Sequence, residues 1–454
     1  MRSMPEVARN GRLGNLATPP SVQKLQMALH AKAKEDPNFR FYSLYDKLYR
    51  EDLLRHAYAF CKANGGAAGV DDERFEDIEA SGVERWLGQL VQELRDKTYQ
   101  PQAVRRVYIP KPNGKLRPLG IPPIRDRVAQ TAAVLILGPV FEIDLQPEQH
   151  AYRPGRNALT AVRQVHSLLN TGHTQVIDAD LSGYFDSIPH SELLRCVARR
   201  VVDRQMLHLI RMWLEAPVEE TGEGGRRKRT TRNRDEKRGI PQGSPLSPLL
   251  SNLYMRRFVL GWKHLGFERR FGARIVNYAD DLVICCKGPA DEALRAMREM
   301  MHRLRLTVNE EKTSICHLPT TSFDFLGYTF GRCYSTRTGR AYLGTRPSKK
   351  SIHRLIVTIR EQTDRKNVLL DAETMVMRLN RALRGWANYF CLGPVSKAYA
   401  LIDAYTMTRL HRWLCSKHKV RTSGGARFSA EHITQSLGLV RLPKLTHSLP
   451  WAIA

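Results

Sequence analysis

Ile275-Val276-Asn277-Tyr278-Ala279-Asp280-Asp281-Leu282-Val283-Ile284 sets a pair of adjacent carboxylates between two short apolar runs. Ile275-Val276 and Leu282-Val283-Ile284 read as strands. Side chains on a regular strand alternate faces, so neighbouring carboxylates converge only where the chain turns or bulges. The expectation is a β-hairpin carrying acids at its tip. Two such charges about 4 Å apart repel by roughly 4 kcal/mol at an effective dielectric near 20, and a divalent, oxygen-seeking cation such as Mg²⁺ relieves that cost. An exposed acidic turn is the competing reading, and the hairpin alone does not choose.

Further carboxylates lie upstream. Val176-Ile177-Asp178-Ala179-Asp180-Leu181 is strand-like, which puts Asp178 and Asp180 on one face, with Asp186 a short loop later. Any of the three could bridge to Asp280, and spacing does not select among them. Three carboxylates around two metals about 3.5–4 Å apart can align a hydroxyl and a triphosphate for in-line displacement.

Composition narrows the partner. The 454 residues leave room for two to four domains, and 42% hydrophobic with 26% charged residues describes a soluble globular chain. No run of about 18 apolar residues marks a membrane span. The opening MRSMPEVARNGRLGNLATPP lacks the apolar core of a secretory signal. A net charge of +27 suits a polyanionic partner, and without a basic amphipathic anchor nucleic acid is favoured over a membrane surface. The eight cysteines form no C-x₂-C pair, which argues against zinc ribbons and for a reduced, cytoplasmic setting. Cys285 and Cys286 read as core residues of the strand that follows Asp281.

Residues 1–40 form a basic N-terminal extension, broken at Pro19-Pro20, with a helix expected over 21–34. Lys24, Lys32 and Lys34 on it are candidate RNA contacts. Helical periodicity continues to residue 100. Val107-Tyr108-Ile109 and Leu119-Gly120-Ile121 read as two strands joined by a turn at Pro112-Asn113-Gly114, and residues 125–141 as an apolar helix. Residues 221–238 are a basic insertion, expected as a loop. Its Arg226, Arg227, Lys228 and Arg229 suit nucleic-acid contact, against the alternative of a solvated surface. Beyond residue 345 the chain turns helical. Leu379, Leu383, Trp386 and Phe390 share one helical face, with Arg381, Arg384 and Asn388 opposite. A second stripe joins Tyr399, Ile402, Leu410, Trp413 and Leu414 before Lys417-His418-Lys419-Val420-Arg421.

The ordered blocks resemble a bacterial group II intron-encoded reverse transcriptase/maturase. Val107-Tyr-Ile-Pro-Lys-Pro-Asn-Gly-Lys-Leu-Arg-Pro-Leu-Gly-Ile121 resembles the first fingers block. Ala151-Tyr-Arg-Pro-Gly-Arg156 resembles the second, with Ala-Tyr in place of the usual Gly-Phe. Asp180-Leu-Ser-Gly-Tyr-Phe-Asp186 resembles the catalytic palm strand, Gly239-Ile-Pro-Gln-Gly-Ser-Pro-Leu-Ser-Pro-Leu-Leu250 the nucleotide-handling block, and Tyr278–Asp281 the catalytic hairpin. Leu306-Thr-Val-Asn-Glu-Glu-Lys-Thr313 and Phe323-Asp-Phe-Leu-Gly-Tyr328 resemble the last palm blocks. Leu379-Asn-Arg-Ala-Leu-Arg-Gly-Trp-Ala-Asn-Tyr-Phe390 resembles the maturase thumb.

The resemblance implies an α/β (α+β) right-hand polymerase, its fingers and palm built on antiparallel sheet over residues 41–344. A helical thumb over 345–415 would follow; the basic tail over 416–454 is short and holds no cysteine, so the endonuclease domain that some relatives carry is not expected in it. The resemblance implies RNA-directed DNA synthesis with two Mg²⁺ ions (Mn²⁺ as substitute), held by Asp180, Leu181 through its carbonyl, Asp280 and Asp281. Asp178 and Asp186 become structural. Lys111, Arg117, Gln242, Gly243 and Lys312 would contact the dNTP, and Phe185 would exclude a 2′-hydroxyl. An ion pair of Lys312 with Glu310 or Glu311 is the alternative for that lysine, and bracing of Trp386 the alternative for Arg384. The implied partners are intron RNA, an RNA template, a DNA primer or target and dNTPs. Two other readings are carried forward: a reverse transcriptase of retron or diversity-generating type, and an RNA-binding splicing cofactor with little polymerase activity.

Overall fold

The computed structural model describes residues 16–110, 114, 116–222, 226–335, 337–420 and 427–445. The chain forms two compact units, residues 1–161, 179–284 and 289–314 in the first, and 162–178, 285–288 and 315–454 in the second.

Five helices open the chain: α1 (Pro20–Glu35), α2 (Tyr45–Leu48), α3 (Glu51–Asn64), α4 (Phe75–Ser81) and α5 (Val83–Arg95). The hairpin β1 (Val104–Pro110) and β2 (Leu116–Ile121) precedes α6 (Ile124–Glu142) and α7 (Ala158–Asn170). Then come β3 (Gln175–Ser182), α8 (Tyr184–Ser187), α9 (His190–Ala198), α10 (Arg204–Glu215), β4 (Val218–Thr221), β5 (Arg227–Thr230) and α11 (Arg232–Asp235). Two helices, α12 (Ser247–His264) and α13 (Phe267–Arg270), lead to the hairpin β6 (Ala273–Tyr278) and β7 (Asp281–Cys286), then α14 (Ala290–Arg303) and β8 (Thr307–Val308). The remainder is β9 (Ser314–His317), β10 (Phe323–Phe325), β11 (Tyr328–Tyr334), β12 (Ala341–Pro347), α15 (Lys349–Gln362), α16 (Ala372–Tyr389), α17 (Ser396–Lys417) and α18 (Leu442–Leu445).

In the first unit α6 is apolar nearly all round, with Val128, Ala132, Ile136 and Val140 fully buried, and α1 and α3 pack against it. A helix of that character belongs inside a core. Its start carries a polar knot: Tyr99 donates its hydroxyl to Asp126 Oδ1 at 2.5 Å, Gln102 N–H donates to Asp126 Oδ2 at 3.0 Å, and Trp213 Nε1 donates to Tyr99 Oη at 3.0 Å. The first sheet runs β2–β1–β4–β5, antiparallel except for the parallel β1–β4 pair. The second runs β6–β7–β3–β8, with Leu181 opposite Val308 and Ser182 opposite Thr307 in antiparallel register. Leu282, Val283 and Ile284 of β7 are fully buried, which is what a central, doubly covered strand needs.

The expectation of a loop over 221–238 is corrected. That segment contains β5, antiparallel to β4 with Glu219 opposite Arg229, and the short α11. Acidic partners explain it: Arg227 pairs with Asp72 at 3.2 Å and Glu219 at 3.4 Å, and Arg232 with Glu236 at 2.7 Å. A basic strand forms here because the opposing edge supplies carboxylates.

In the second unit β9 pairs with β3, and β10–β11–β12 form an antiparallel sheet. The helices follow the expected stripes: Leu379, Leu383, Tyr399, Ile402, Leu410, Trp413 and Leu414 are all buried in one core. Ser348 caps α15 and Asp371 caps α16 through side-chain bonds to N–H groups of the first turn. Residues 427–445 return to this core through Phe428, Ile433, Leu439 and Leu442. Asn380 holds them, donating to Gly438 O at 2.9 Å and accepting from Val440 N–H at 2.8 Å.

Candidate active site and nucleic-acid interface

The acidic hairpin turns on two residues, Ala279 and Asp280, between β6 and β7. Ala279 takes the left-handed conformation, φ 57°, which an L-residue holds only when its surroundings compensate. Asn277 is the compensation. Fully buried, it donates Nδ2 to Ala279 O at 2.9 Å and to Asp281 O at 3.3 Å. Its own backbone is clamped, N–H to Glu148 O at 2.9 Å and carbonyl from His150 N–H at 3.0 Å. Sequence reasoning missed Asn277. The one signal was an amide inside an otherwise apolar strand.

Asp180 stands on β3. Lys312 Nζ donates to its Oδ2 at 2.8 Å and Asn309 Nδ2 to the same oxygen at 3.1 Å. Asn309 N–H also donates to Asp180 O at 2.8 Å, and Asp180 N–H to Thr313 Oγ1 at 3.4 Å. The bond to Asp180 raises the Lys312 pKa, and the Asp281 and Asp280 carboxylates push it the same way. One ammonium therefore bonds Asp180 directly and feels the charge of the other two acids. The alternative pair with Glu310 or Glu311 is not formed among the described residues: Lys312 pairs with Asp180, and Arg298 takes Glu310 at 2.5 Å. Asn309 and Thr313 lie inside a block singled out in the sequence, but nothing in its spacing disclosed their partner.

Among the described residues no three His, Cys, Asp or Glu side chains are drawn together closely enough to hold a metal ion. The donor chemistry nevertheless fits a hard cation, with carboxylate and backbone carbonyl oxygens on offer and a lysine supplying the compensating charge to Asp180.

Phe185 follows the left-handed Gly183 on the short α8 and is 9% exposed. Its carbonyl accepts from Ile240 N–H at 2.7 Å, tying β3's exit to the loop holding Gln242 and Gly243. Gly243, φ 115°, is required there by close packing: a Cβ would lie 2.3 Å from Gly120 O, and Gly120 N–H donates to Gln242 O at 2.5 Å. The glycine thus joins this loop to β2, which sequence reasoning had not anticipated. Gln242 Nε2 reaches Asp186 Oδ2 at 3.5 Å. Arg117 is exposed on β2, and Lys111 lies outside the described residues.

Tyr152 was passed over as a site residue, although it sits where the second fingers block departs from Gly-Phe. Its backbone is left-handed, φ 56°, and the residue as a whole is 52% exposed. Burial of the phenol raises its pKa, followed by the charges of Asp280 and Tyr278, while Arg117 opposes them. It belongs to the same neighbourhood as the hairpin acids.

The basic candidates are all on the surface. Arg226, Arg227, Lys228 and Arg229 are exposed on and before β5, and Arg381, Arg384 and Asn388 are exposed on α16. Arg227 is committed to Asp72 and Glu219. No helix among the described residues is long and apolar enough to cross a membrane.

A four-stranded fingers sheet, an acid-tipped hairpin beside Asp180 and a helical unit bearing arginines define a nucleic-acid polymerase of the right-hand class. Residues 109–330 match the model of the reverse transcriptase (RNA-dependent DNA polymerase) family, and residues 352–428 match the group II intron, maturase-specific domain. Protein YkfC of Escherichia coli (strain K12) is 31% identical over 372 residues, covering 73% of this chain and 93% of that protein. Group II intron-encoded protein LtrA of Lactococcus lactis subsp. cremoris is 31% identical over 281 residues, 61% of this chain but 43% of that protein. Nuclear intron maturase 2, mitochondrial, of Arabidopsis thaliana is 29% identical over 119 residues, 26% of this chain and 16% of that protein. The chain belongs to the group II intron-encoded reverse transcriptase/maturase family, RNA-directed DNA polymerases that use divalent metal ions.

Proposed function

We propose that Asp180, Asp280 and Asp281 form the catalytic centre for extending a DNA primer on an RNA template, within residues 41–344 acting as fingers and palm. The observation that supports this reading is the Lys312 ammonium, which bonds Asp180 at 2.8 Å and whose pKa is pushed further up by the charges of Asp281 and Asp280. The primer 3′-hydroxyl attacks the α-phosphorus of a dNTP. A new ester bond forms, the bond to the bridging oxygen breaks, and pyrophosphate leaves with that oxygen. Two Mg²⁺ ions held by Asp180, the Leu181 carbonyl, Asp280 and Asp281, with Mn²⁺ as substitute, would activate the hydroxyl and neutralise the phosphates. Lys111 and Arg117 grip the triphosphate through charge-assisted bonds. Phe185 blocks a 2′-hydroxyl, Gln242 and Gly243 line the nucleotide's approach, and Lys312 offsets charge on the leaving group.

The second role is binding of intron RNA to assist splicing and mobility. The helical thumb over 345–415, through Arg381, Arg384 and Asn388, and the basic edge at Arg226–Arg229 supply phosphate contacts.

Primer extension on an RNA template with Mg²⁺, wild type against Asp280→Ala, tests the centre. Extension by the wild type alone is expected. Equal extension by both proteins means the site is misassigned. No extension by either, with host-RNA splicing still promoted by the wild type, makes the chain a splicing cofactor.

A further inference from the structure

A charged cavity lies in the first unit, built by α9, α12 and the turn after α6. It has a volume of about 360 Å³ and is lined by Asp144, Glu192, Arg195, Cys196, Arg199, Leu253, Arg256 and Arg257. None of these residues takes part in the chemistry assigned to Asp180, Asp280 and Asp281.

Its charges do not balance. Asp144 is spent on Arg200, a 2% exposed guanidinium that donates Nε to Oδ2 and Nη2 to Oδ1, each at 2.9 Å. Glu192 is shared, its Oε1 accepting from Arg195 at 2.5 Å and its Oε2 lying 3.0 Å from Arg257 Nη1. That last approach is an ion pair without a hydrogen bond, so the buried Nη1 retains a donor with no acceptor. Arg256 donates Nε to the Asp144 backbone carbonyl at 2.6 Å and pairs with no carboxylate among the described residues. Arg199, exposed at the end of α9, has no carboxylate partner among the described residues either. Two carboxylates thus serve five arginines.

Burial lowers the Arg256 pKa, and repulsion from Arg199 is the next cause. Like charges are costly when held together, and forked guanidinium donors match tetrahedral oxyanions. The nearby end of α9 does not cancel the field, since its Ala198 carbonyl accepts from Arg40 at 3.1 Å. Cys196 adds no anion, because burial pushes its thiol pKa up.

We propose that this cavity is a phosphate-binding site, with Arg199 and Arg256 as its principal ligands. The phosphate comes either from a free phosphate species or from the backbone of bound RNA.

The test uses the full chain, wild type and Arg199→Gln; the exposed Arg199 can be replaced without touching the core. Inorganic phosphate is titrated against potassium chloride of matched ionic strength while the melting temperature is followed. A free-phosphate site raises the wild-type value by about 1–2 °C at saturating phosphate. The variant binds phosphate about tenfold more weakly. In parallel, binding of a structured RNA is measured across salt concentrations. A backbone phosphate here makes the log–log salt slope shallower by about one in the variant. Arg256→Gln should reproduce whichever effect Arg199→Gln shows. If phosphate acts no differently from chloride and the RNA slope is unchanged, the proposal is overturned. It is equally overturned if phosphate stabilises wild type and variant alike while the RNA slope stays unchanged. Neither readout depends on polymerisation.

Discussion

Asp180 and Asp126 are the same residue type in the same unit and are put to opposite uses. Asp126, 3% exposed, sits at the start of α6 and accepts from the Tyr99 phenol and the Gln102 amide. Burial raises its pKa to about 6, against an ordinary value of 3.8. Asp180 stands at a strand end, its carboxylate answered by the Lys312 ammonium and the Asn309 amide. The first environment disfavours charge and binds neutral donors tightly. The second faces the carboxylate with the Lys312 cation and the Asn309 amide. A carboxylate is structural or chemical according to what faces it, not according to its strand or helix.

That contrast breaks most visibly at the hairpin. Asp280→Ala should cut primer extension roughly 10³-fold or more, while the melting temperature stays near that of the wild type. Asn277→Ala at the same turn should lower both, because it releases Ala279 from its brace. A catalytically silent Asp280→Ala would make the hairpin an acidic turn and nothing more.

Asp126→Asn gives the opposite pattern: extension retained at low temperature, but a changed pH dependence of stability. The folded carboxyl holds its proton more tightly than the unfolded one. Its contribution is therefore full below pH about 3.8 and is lost as pH rises through about 6. The loss amounts to about 3 kcal/mol at this nearly closed site. Melting curves between pH 4 and 7 should show the wild type falling relative to the variant. Parallel curves would mean that the Tyr99 and Gln102 bonds keep Asp126 ionised.

The two carboxylates also differ in how far sequence could describe them. The alternation in Val176–Leu181 and the apolar frame of Tyr278–Asp281 exposed two acidic strand segments, because strand period is a local property, but the choice of Asp180 over Asp178 and Asp186 came from the family resemblance. The α16 stripe was legible for the same reason, with Leu379 and Leu383 buried and Arg381 and Arg384 outside. Lys312 meets Asp180 across 132 positions, and no local rule pairs them. Asn277 was hidden likewise, since its work is to bond carbonyls of a turn whose shape sequence gives only in outline. Residues 221–238 misled for a related reason. Their charge density suggests a loop until Asp72 and Glu219 are brought opposite, and Asp72 lies in a distant part of the chain.

A smaller effect sharpens the comparison at Phe185, just beyond Asp180. Phe185→Ala should raise ribonucleotide incorporation by about tenfold or more, the discrimination a filled apolar pocket typically supplies. Extension with deoxynucleotides should change little. Unaltered selectivity would move sugar discrimination elsewhere, with the exposed Tyr152 the next side chain to truncate.

The smallest effect is expected where charge acts by its sum. Arg381 and Arg384 are exposed on α16, and neither has a carboxylate within ion-pair distance among the described residues. A guanidinium on an open helix face gains its worth from a polyanion by counterion release, not by geometry, so each makes a modest and salt-dependent contribution. Arg381→Gln with Arg384→Gln should weaken RNA binding only a few-fold near physiological salt and make the salt slope shallower by about two. Arg227→Gln should do less still, because Asp72 and Glu219 already absorb much of its charge and an RNA phosphate would have to displace them. If Arg227→Gln instead changes the slope as much as the α16 pair does, the ion pairs of β5 open on binding. The basic edge would then work as is proposed for Asp180, through a cation–carboxylate contact that opens when a charged ligand arrives.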